Sequence, residues 1–213
     1  MTLPAGAPPA LAQVAQRFAA TSHGIVVCQL HWVFDVHGGF SSRSEDLTMN
    51  AAYEDGAIVK VRVTNYTIDG KNASNTDVAS VEQSWSHPKS DDVFAPPFDA
   101  RNFGAYQYGD GAASAIVFTP TVHDAGHGDG SFAYDAQYDV VSYTYHPSVL
   151  PPHATSGEIT DRRAEVLPQY WASTLETQEY KGRYGPFAAA GTVTLSYSNF
   201  RRYADLQSAL GAL

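Results

Sequence analysis

The residues best equipped for chemistry lie in the run Val122-His-Asp-Ala-Gly-His-Gly-Asp-Gly. His123 and His127 stand at i and i+4, the spacing at which two imidazoles on one helix share a zinc ion, and Asp124, Asp129 and Asp135 add carboxylates nearby. Such a set would suit metal-assisted hydrolysis. Yet Gly126, Gly128 and Gly130 deny the run the helical geometry that gives the spacing its meaning. No Glu stands beside either histidine to serve as a base. The run reads as a solvated hairpin turn. It also makes a poor phosphate cradle, because an alternating strand follows where a helix N-terminus would have to face the anion.

Other chemistry is thinner still. The chain has no Gly-x-Ser-x-Gly turn to present a serine nucleophile. His31 and His37 fall on the polar register of an alternating segment or just beyond it, where surface residues are the ordinary outcome. Glu45 and Asp46 are neighbours on a strand and point to opposite faces, so they cannot act together as acid and base. Asp91 and Asp92 sit in a proline-rich segment and read as a solvated acidic patch. Cys28, the single cysteine, excludes an internal disulfide and a cysteine-built zinc site, and its apolar surroundings suggest a small core residue. No cofactor is expected, and the residues favour a chain that is not an enzyme.

The whole-chain balance narrows the classes further. With 22 acidic against 13 basic residues the formal charge is -9, the wrong sign for gripping phosphate backbones, so nucleic acid is not an expected partner. No stretch of about 18 apolar residues is present to span a membrane as a helix. The opening Met-Thr-Leu-Pro-Ala-Gly lacks the features of an export signal. A chain of 213 residues can bury roughly 70% of its unfolded surface and is read as one domain, 1–213.

The elements that must position these residues are mostly strands. Leu11, Val14, Ala15 and Phe18 after Pro8-Pro9 predict a first helix ending before Gly24; Val78, Val81 and Trp85 predict a second over about 76–85. Tyr203, Leu206, Leu210 and Leu213 predict a short terminal helix. Elsewhere the period is two. Val26 to Val36, Leu47 to Tyr53 and Val59 to Val63 alternate, with turn signals at Asp55-Gly56 and Asp69-Gly70. Ile116 to Val122, Phe132 to Val140 (through Tyr134, Ala136 and Tyr138), Tyr170 to Tyr180 and Val193 to Tyr197 continue the pattern. Residues 84–104 and 146–157 are proline-rich and irregular. The expected fold is mainly β (α+β), a curved antiparallel sheet with one dry face capped by two or three helices.

Aromatic residues make up 12% of the chain, many of them on alternating strands. They either fill a core or line a concave face too wide for the helices to cover. Such a face would be an apolar pocket for a small molecule.

The order of parts resembles one family. An amphipathic helix runs into a strand over 8–36, a hairpin closes on Tyr53-Glu-Asp-Gly-Ala-Ile-Val-Lys-Val-Arg-Val, and Asp69-Gly70-Lys71 ends the next strand. Gly191-Thr-Val-Thr-Leu-Ser-Tyr-Ser-Asn-Phe-Arg-Arg-Tyr comes near the C-terminus. This resembles the periplasmic lipoprotein-carrier superfamily, the LolA/LolB-like proteins and their lipid-binding relatives. The resemblance implies an unclosed β-barrel whose hollow accepts acyl chains, in a periplasmic or secreted protein whose export signal lies outside this chain. Lipid or lipoprotein acyl chains are the implied partners, with transient contact to a membrane or a partner protein.

Strand register then assigns the hollow's lining to Trp32, Phe34, Val61, Phe118, Tyr138, Val140, Leu195 and Tyr197. A one-residue slip would exchange that lining for the outer face. Phe94 and Phe98, with Val149 and Leu150, are expected at the pocket mouth, so that Phe98→Asp should slow lipid uptake without unfolding the protein. Two other readings stay open: a secreted metal-dependent enzyme using the His123/His127 loop, and a pocket-free module that meets a partner through a sheet edge.

Overall fold

The structure, a computed structural model, describes residues 2–38, 41–88, 94–184 and 187–213. The proline-rich segment's 89–93, with Asp91 and Asp92, lies outside the described residues. Helix α1 (Ala10–Thr21) leads into three long strands, β1 (Ile25–Gly38), β2 (Ser41–Glu54) and β3 (Ala57–Ile68). A two-residue strand β4 (Lys71–Asn72) and helix α2 (Asn75–Ser86) follow. Then come β5 (Tyr106–Asp110), β6 (Ala115–Pro120), β7 (Gly128–Tyr134), β8 (Val140–Pro147), β9 (Ala154–Leu167), β10 (Tyr170–Tyr184), β11 (Phe187–Tyr203) and helix α3 (Leu206–Leu210).

All these strands join one antiparallel sheet in the order β4-β3-β2-β1-β11-β10-β9-β8-β7-β6-β5, curved but not closed into a barrel. The final strand pairs with the first, Trp32 lying opposite Leu195, and so welds two meanders into a single surface. This is the open, helix-capped sheet that the family resemblance implied. Asp55-Gly56 and Asp69-Gly70 make the tight hairpin turns, each residue with positive φ (50° and 81°, 50° and 73°).

Period two puts Val26, Cys28, Leu30, Trp32, Phe34 and Val36 on the concave face of β1, and Ile25 and Val27 on the convex one. Two helices cover the concave face, each one half of it. Leu11, Val14 and Ala15 of α1 sit in a core with Phe98, Phe118, Phe132 and Val140, over β5–β9. Arg17 Nε donates to both oxygens of buried Asp139 at 2.8 and 2.9 Å and pins that helix. Val78, Val81 and Trp85 of α2 pack on a second core of Leu30, Leu47, Met49, Ala51 and Val61. A Ser74–Asp77 capping box starts this helix. Its Ser86 and Glu82 accept the backbone N–H groups of Val61 and Val63 at 3.1 and 2.8 Å, satisfying a sheet edge left open by the short β4. The third helix packs through Ala209 on Val27 and Ala52 of the opposite face.

Two sequence expectations are corrected here. The strand expected from Phe132 through Val140 is two strands. Asp135 breaks it, its carboxylate accepting from the N–H groups of Gln137 and Asp139 while Tyr138 takes a positive φ of 67°. The irregular 146–157 segment in turn gives its ends to β8 and β9. Among the described residues no helix is long and apolar enough to cross a membrane.

Candidate functional site

Because each helix covers only half of the concave face, a seam remains between the two cores. A cavity of about 870 Å³ lies there. Its floor is Leu195 and Tyr197 of β11, Glu176 and Gln178 of β10, and Tyr143 and Tyr145 of β8. Its sides are Tyr53 and Ile58 on one flank, Phe94 and Pro96 on another, with Trp85 and His87 at the end of α2. A second cavity of about 590 Å³ continues it toward the β1–β2 hairpin, between Trp32, Phe34, Val193 and Tyr180 and the Pro151-Pro152 turn. A third, about 180 Å³, extends the other way between Cys28, Tyr170, Trp171 and Phe200.

The three adjoin. Gln178 walls the first and second, while Tyr53, Gly56, Pro96 and Tyr197 wall the first and third. Together they follow β11 from Ala189 to Phe200, roughly 36 Å of strand. The result is a run of adjoining, largely apolar cavities along one strand, between the areas that the two helices cover.

Its floor carries a polar device. The Tyr180 hydroxyl donates to Gln178 Oε1 at 3.2 Å, and Gln178 Nε2 donates to Glu176 Oε1 at 2.6 Å. These three residues share one face of β10 at i, i+2 and i+4, so the carboxylate is held in place from its own strand. Burial pushes the Glu176 carboxyl above its usual range, and the bond from Gln178 opposes the rise. Across the sheet Asp161 of β9 pairs with Glu176 on one side and Tyr143 on the other.

Asp161 is fully buried, and neither of its oxygens has a hydrogen-bond partner of good geometry. Burial pushes it up to about 7; the nearby Ser173 hydroxyl, Arg163 guanidinium and Tyr143 hydroxyl pull the other way, while Glu176 adds to the rise. Arg163 is only partly engaged, its buried Nε having no hydrogen-bond partner. Its guanidinium lies 5.3 and 5.8 Å from the ring centres of Phe18 and Phe98, and its Nη2 donates to the Trp171 carbonyl at 3.0 Å. Burial also raises the phenols of Tyr53, Tyr143, Tyr145 and Tyr197, so they stay neutral around the acids.

The structure distributes the residues picked from register unevenly. Trp32, Phe34, Leu195 and Tyr197 line the hollow, as does Phe94, which stacks on Tyr145 at 4.1 Å and on Tyr143 at 5.3 Å. Val61, Phe118 and Val140 are sealed inside the two cores. Tyr138 stands in the Asp135 turn and stacks on Tyr134. Phe98 is 0% exposed in the α1 core rather than at a mouth, so an aspartate there would unfold the protein instead of merely slowing uptake. Val149 is 42% exposed on a turn outside the cavity walls. Leu150 lies behind Tyr180, near Gly157, whose missing side chain leaves room for both.

Glu176, Gln178, Asp161, Tyr53, Tyr143 and Tyr145 were not picked from sequence. One signal was available: neither register of the 170–184 segment is uniformly apolar, which is odd for a central strand.

The histidine loop is a closed turn. Asp124 accepts from the Gly126 N–H at 2.9 Å and pairs with His127 Nδ1 at 2.6 Å, and His123 is exposed. Among the described residues no three of His, Cys, Asp and Glu gather as a metal-ligand set. Burial pushes the Cys28 thiol up to about 12, which leaves it a packing residue.

No protein-family model matches the chain, and no curated protein matches it. Solved structures of similar outline include an outer-membrane lipoprotein-sorting protein domain from Vibrio parahaemolyticus. That match has 11% identity and a TM-score of 0.48 over 95% of this chain and 96% of the other. Lipovitellin matches at 9% identity and a TM-score of 0.45, over 86% of this chain and 26% of its own. A DUF1329 family protein from Desulfovibrio piger matches at 9% identity and a TM-score of 0.40, over 92% and 93% of the two chains.

Proposed function

We propose that this chain is a non-enzymatic binding protein of the cell envelope or its surroundings, which holds the acyl chain of a lipid or lipid-modified protein. The observation that carries this reading is the continuous hollow along β11, walled mainly by aromatic and aliphatic side chains and left open by helices that cover only half a face each. A packed interaction module would have no reason to leave that seam. A long narrow hollow suits a chain better than a compact metabolite.

Energetics set a length threshold. Each buried methylene contributes about 0.8 kcal/mol, while association costs on the order of 4–15 kcal/mol in lost freedom. Chains of about eight methylenes or fewer are therefore expected to bind weakly, and chains of about twelve or more to bind well.

The three tryptophans make the test direct, because Trp32, Trp85 and Trp171 line the second, first and third cavities respectively. Nitroxide-labelled methyl stearate, a neutral chain, is expected to quench the protein's fluorescence saturably. Replacing each tryptophan by phenylalanine in turn should remove a share of the quenching, largest for the cavity that holds the label. Absence of saturable quenching at any label position would overturn the reading. So would quenching with no dependence on chain length.

A further inference from the structure

An acyl chain alone has no use for the acid on the floor of this hollow, Glu176. Glu176 is oriented by Gln178 and Tyr180 and faces a cavity whose walls, among the described residues, carry no Lys or Arg. Asp161, fully buried between Glu176 and Tyr143, has no hydrogen bond of good geometry on either oxygen, with the Ser173 and Tyr143 hydroxyls its near neighbours. Unpaired buried carboxylates are costly and call for a partner. Arg163, the nearest cation, lies against the Phe18 and Phe98 rings and donates from Nη2 to the Trp171 carbonyl, and among the described residues it forms no ion pair with either acid. Around the acids stand the phenol rings of Tyr53, Tyr143, Tyr145 and Tyr197, kept neutral by burial.

We infer that the middle of the hollow is a subsite for a protonated amine, so that the ligand is an amphiphile carrying an ammonium group next to its apolar chain. A carboxylate set among aromatic rings is the arrangement that recognises such a cation. The ring faces are negative, and the carboxylate accepts its charge-assisted hydrogen bonds. Glu176 also disfavours an anionic group at this point of the hollow, since a second carboxylate beside it would meet like charge, and the described walls of the central cavity carry no Lys or Arg. The cavities on either side then take apolar chain in both directions from the ammonium. This inference rests on the chain-binding reading above and assigns it a headgroup.

Matched twelve-carbon probes separate the two. Dodecylammonium, dodecanol and dodecanoate, each below its aggregation concentration, are titrated by displacement of a neutral fluorescent chain. Wild-type protein is expected to prefer dodecylammonium over dodecanol by at least about tenfold and over dodecanoate by more. Glu176→Gln should erase the preference for the ammonium, bringing dodecylammonium down to the affinity of dodecanol, and urea unfolding checks that the variant is folded. Equal affinity for ammonium and alcohol, or a preference for dodecanoate, overturns the ammonium subsite and leaves the chain-binding reading standing. Failure of all three probes to bind overturns that reading, and the subsite with it.

Discussion

Phe98→Ala is expected to lower the free energy of unfolding by about 3–5 kcal/mol, whereas Phe94→Ala, four residues away, should cost only about 1 kcal/mol and act on ligand binding instead. Phe98 is 0% exposed, edge-on to Phe18 and Phe132 with ring centres at 5.0 and 5.4 Å, and it lies under the Arg163 guanidinium. Truncating it empties the contact between α1 and the β5–β9 half of the sheet, and no neighbour is free to collapse into the space. Phe94 is half-buried, stacks on Tyr143 and Tyr145, and forms a side of the central cavity.

Its backbone neighbours are tied down independently. Ala95 N–H donates to the Gly126 carbonyl at 2.9 Å, and the Tyr106 hydroxyl to the Ala95 carbonyl at 2.7 Å. Removing the Phe94 ring should therefore leave the segment in place and weaken chain binding severalfold. Urea unfolding and the displacement titration, run on both variants, check this. Equal losses of stability in the two would mean that Phe94 belongs to the core.

Asp161→Asn is expected to stabilise the protein in alkaline solution by roughly 2–4 kcal/mol, and to change little at pH 4 or below. The sign follows from linkage. In the unfolded chain this carboxyl ionises at its ordinary value of 3.8; in the folded protein burial pushes it up to about 7. Between those values the folded state holds more protons than the unfolded one, so stability falls as pH rises through the window and levels off above it. Asparagine keeps the shape and removes that dependence.

The groups facing Asp161 are Arg163 on its own strand, Glu176 of β10, Tyr143 and Tyr145 of β8, and Tyr197 of β11. Glu176, also raised, adds to the same slope. Asp55, Asp77, Asp124 and Asp205, lowered by hydrogen bonds at turns and helix starts, act in the opposite sense, and their contribution is lost as pH falls below 3.8. Maximum stability is thus expected in mildly acidic solution. Thermal unfolding across pH 4–9 for wild type and variant measures the difference. A less stable Asp161→Asn at pH 8 would show that Arg163 holds the carboxylate as an ion-pair partner.

Much of this architecture was legible residue by residue. The alternation of Val26 to Val36, the Asp-Gly turns at 55–56 and 69–70, and the stripes of the three helices are local signals. Burial on one side of a strand or helix imposes them whatever the rest of the chain does. They suffice for a mainly antiparallel sheet with one dry face and for the register that puts Trp32, Phe34, Leu195 and Tyr197 on it. Strands β8 and β9 escaped because Tyr143, Asp161 and Arg163 mix polar and apolar residues on their inner face, which blurs the period. Asp135 hid a turn inside an apparent strand because its carboxylate, not a glycine, makes the bend.

Only the tertiary structure decided which dry faces are filled. Val61 and Phe118 alternate as Leu195 does, yet the first lies under α2, the second beneath the α1 core, and the third beside open space. That outcome depends on how far two twelve-residue helices reach across an eleven-stranded sheet. No window of local sequence contains that quantity. Tertiary structure likewise brings Glu176 and Asp161 together from separate strands, because antiparallel pairing sets residues 15 apart in the chain opposite one another.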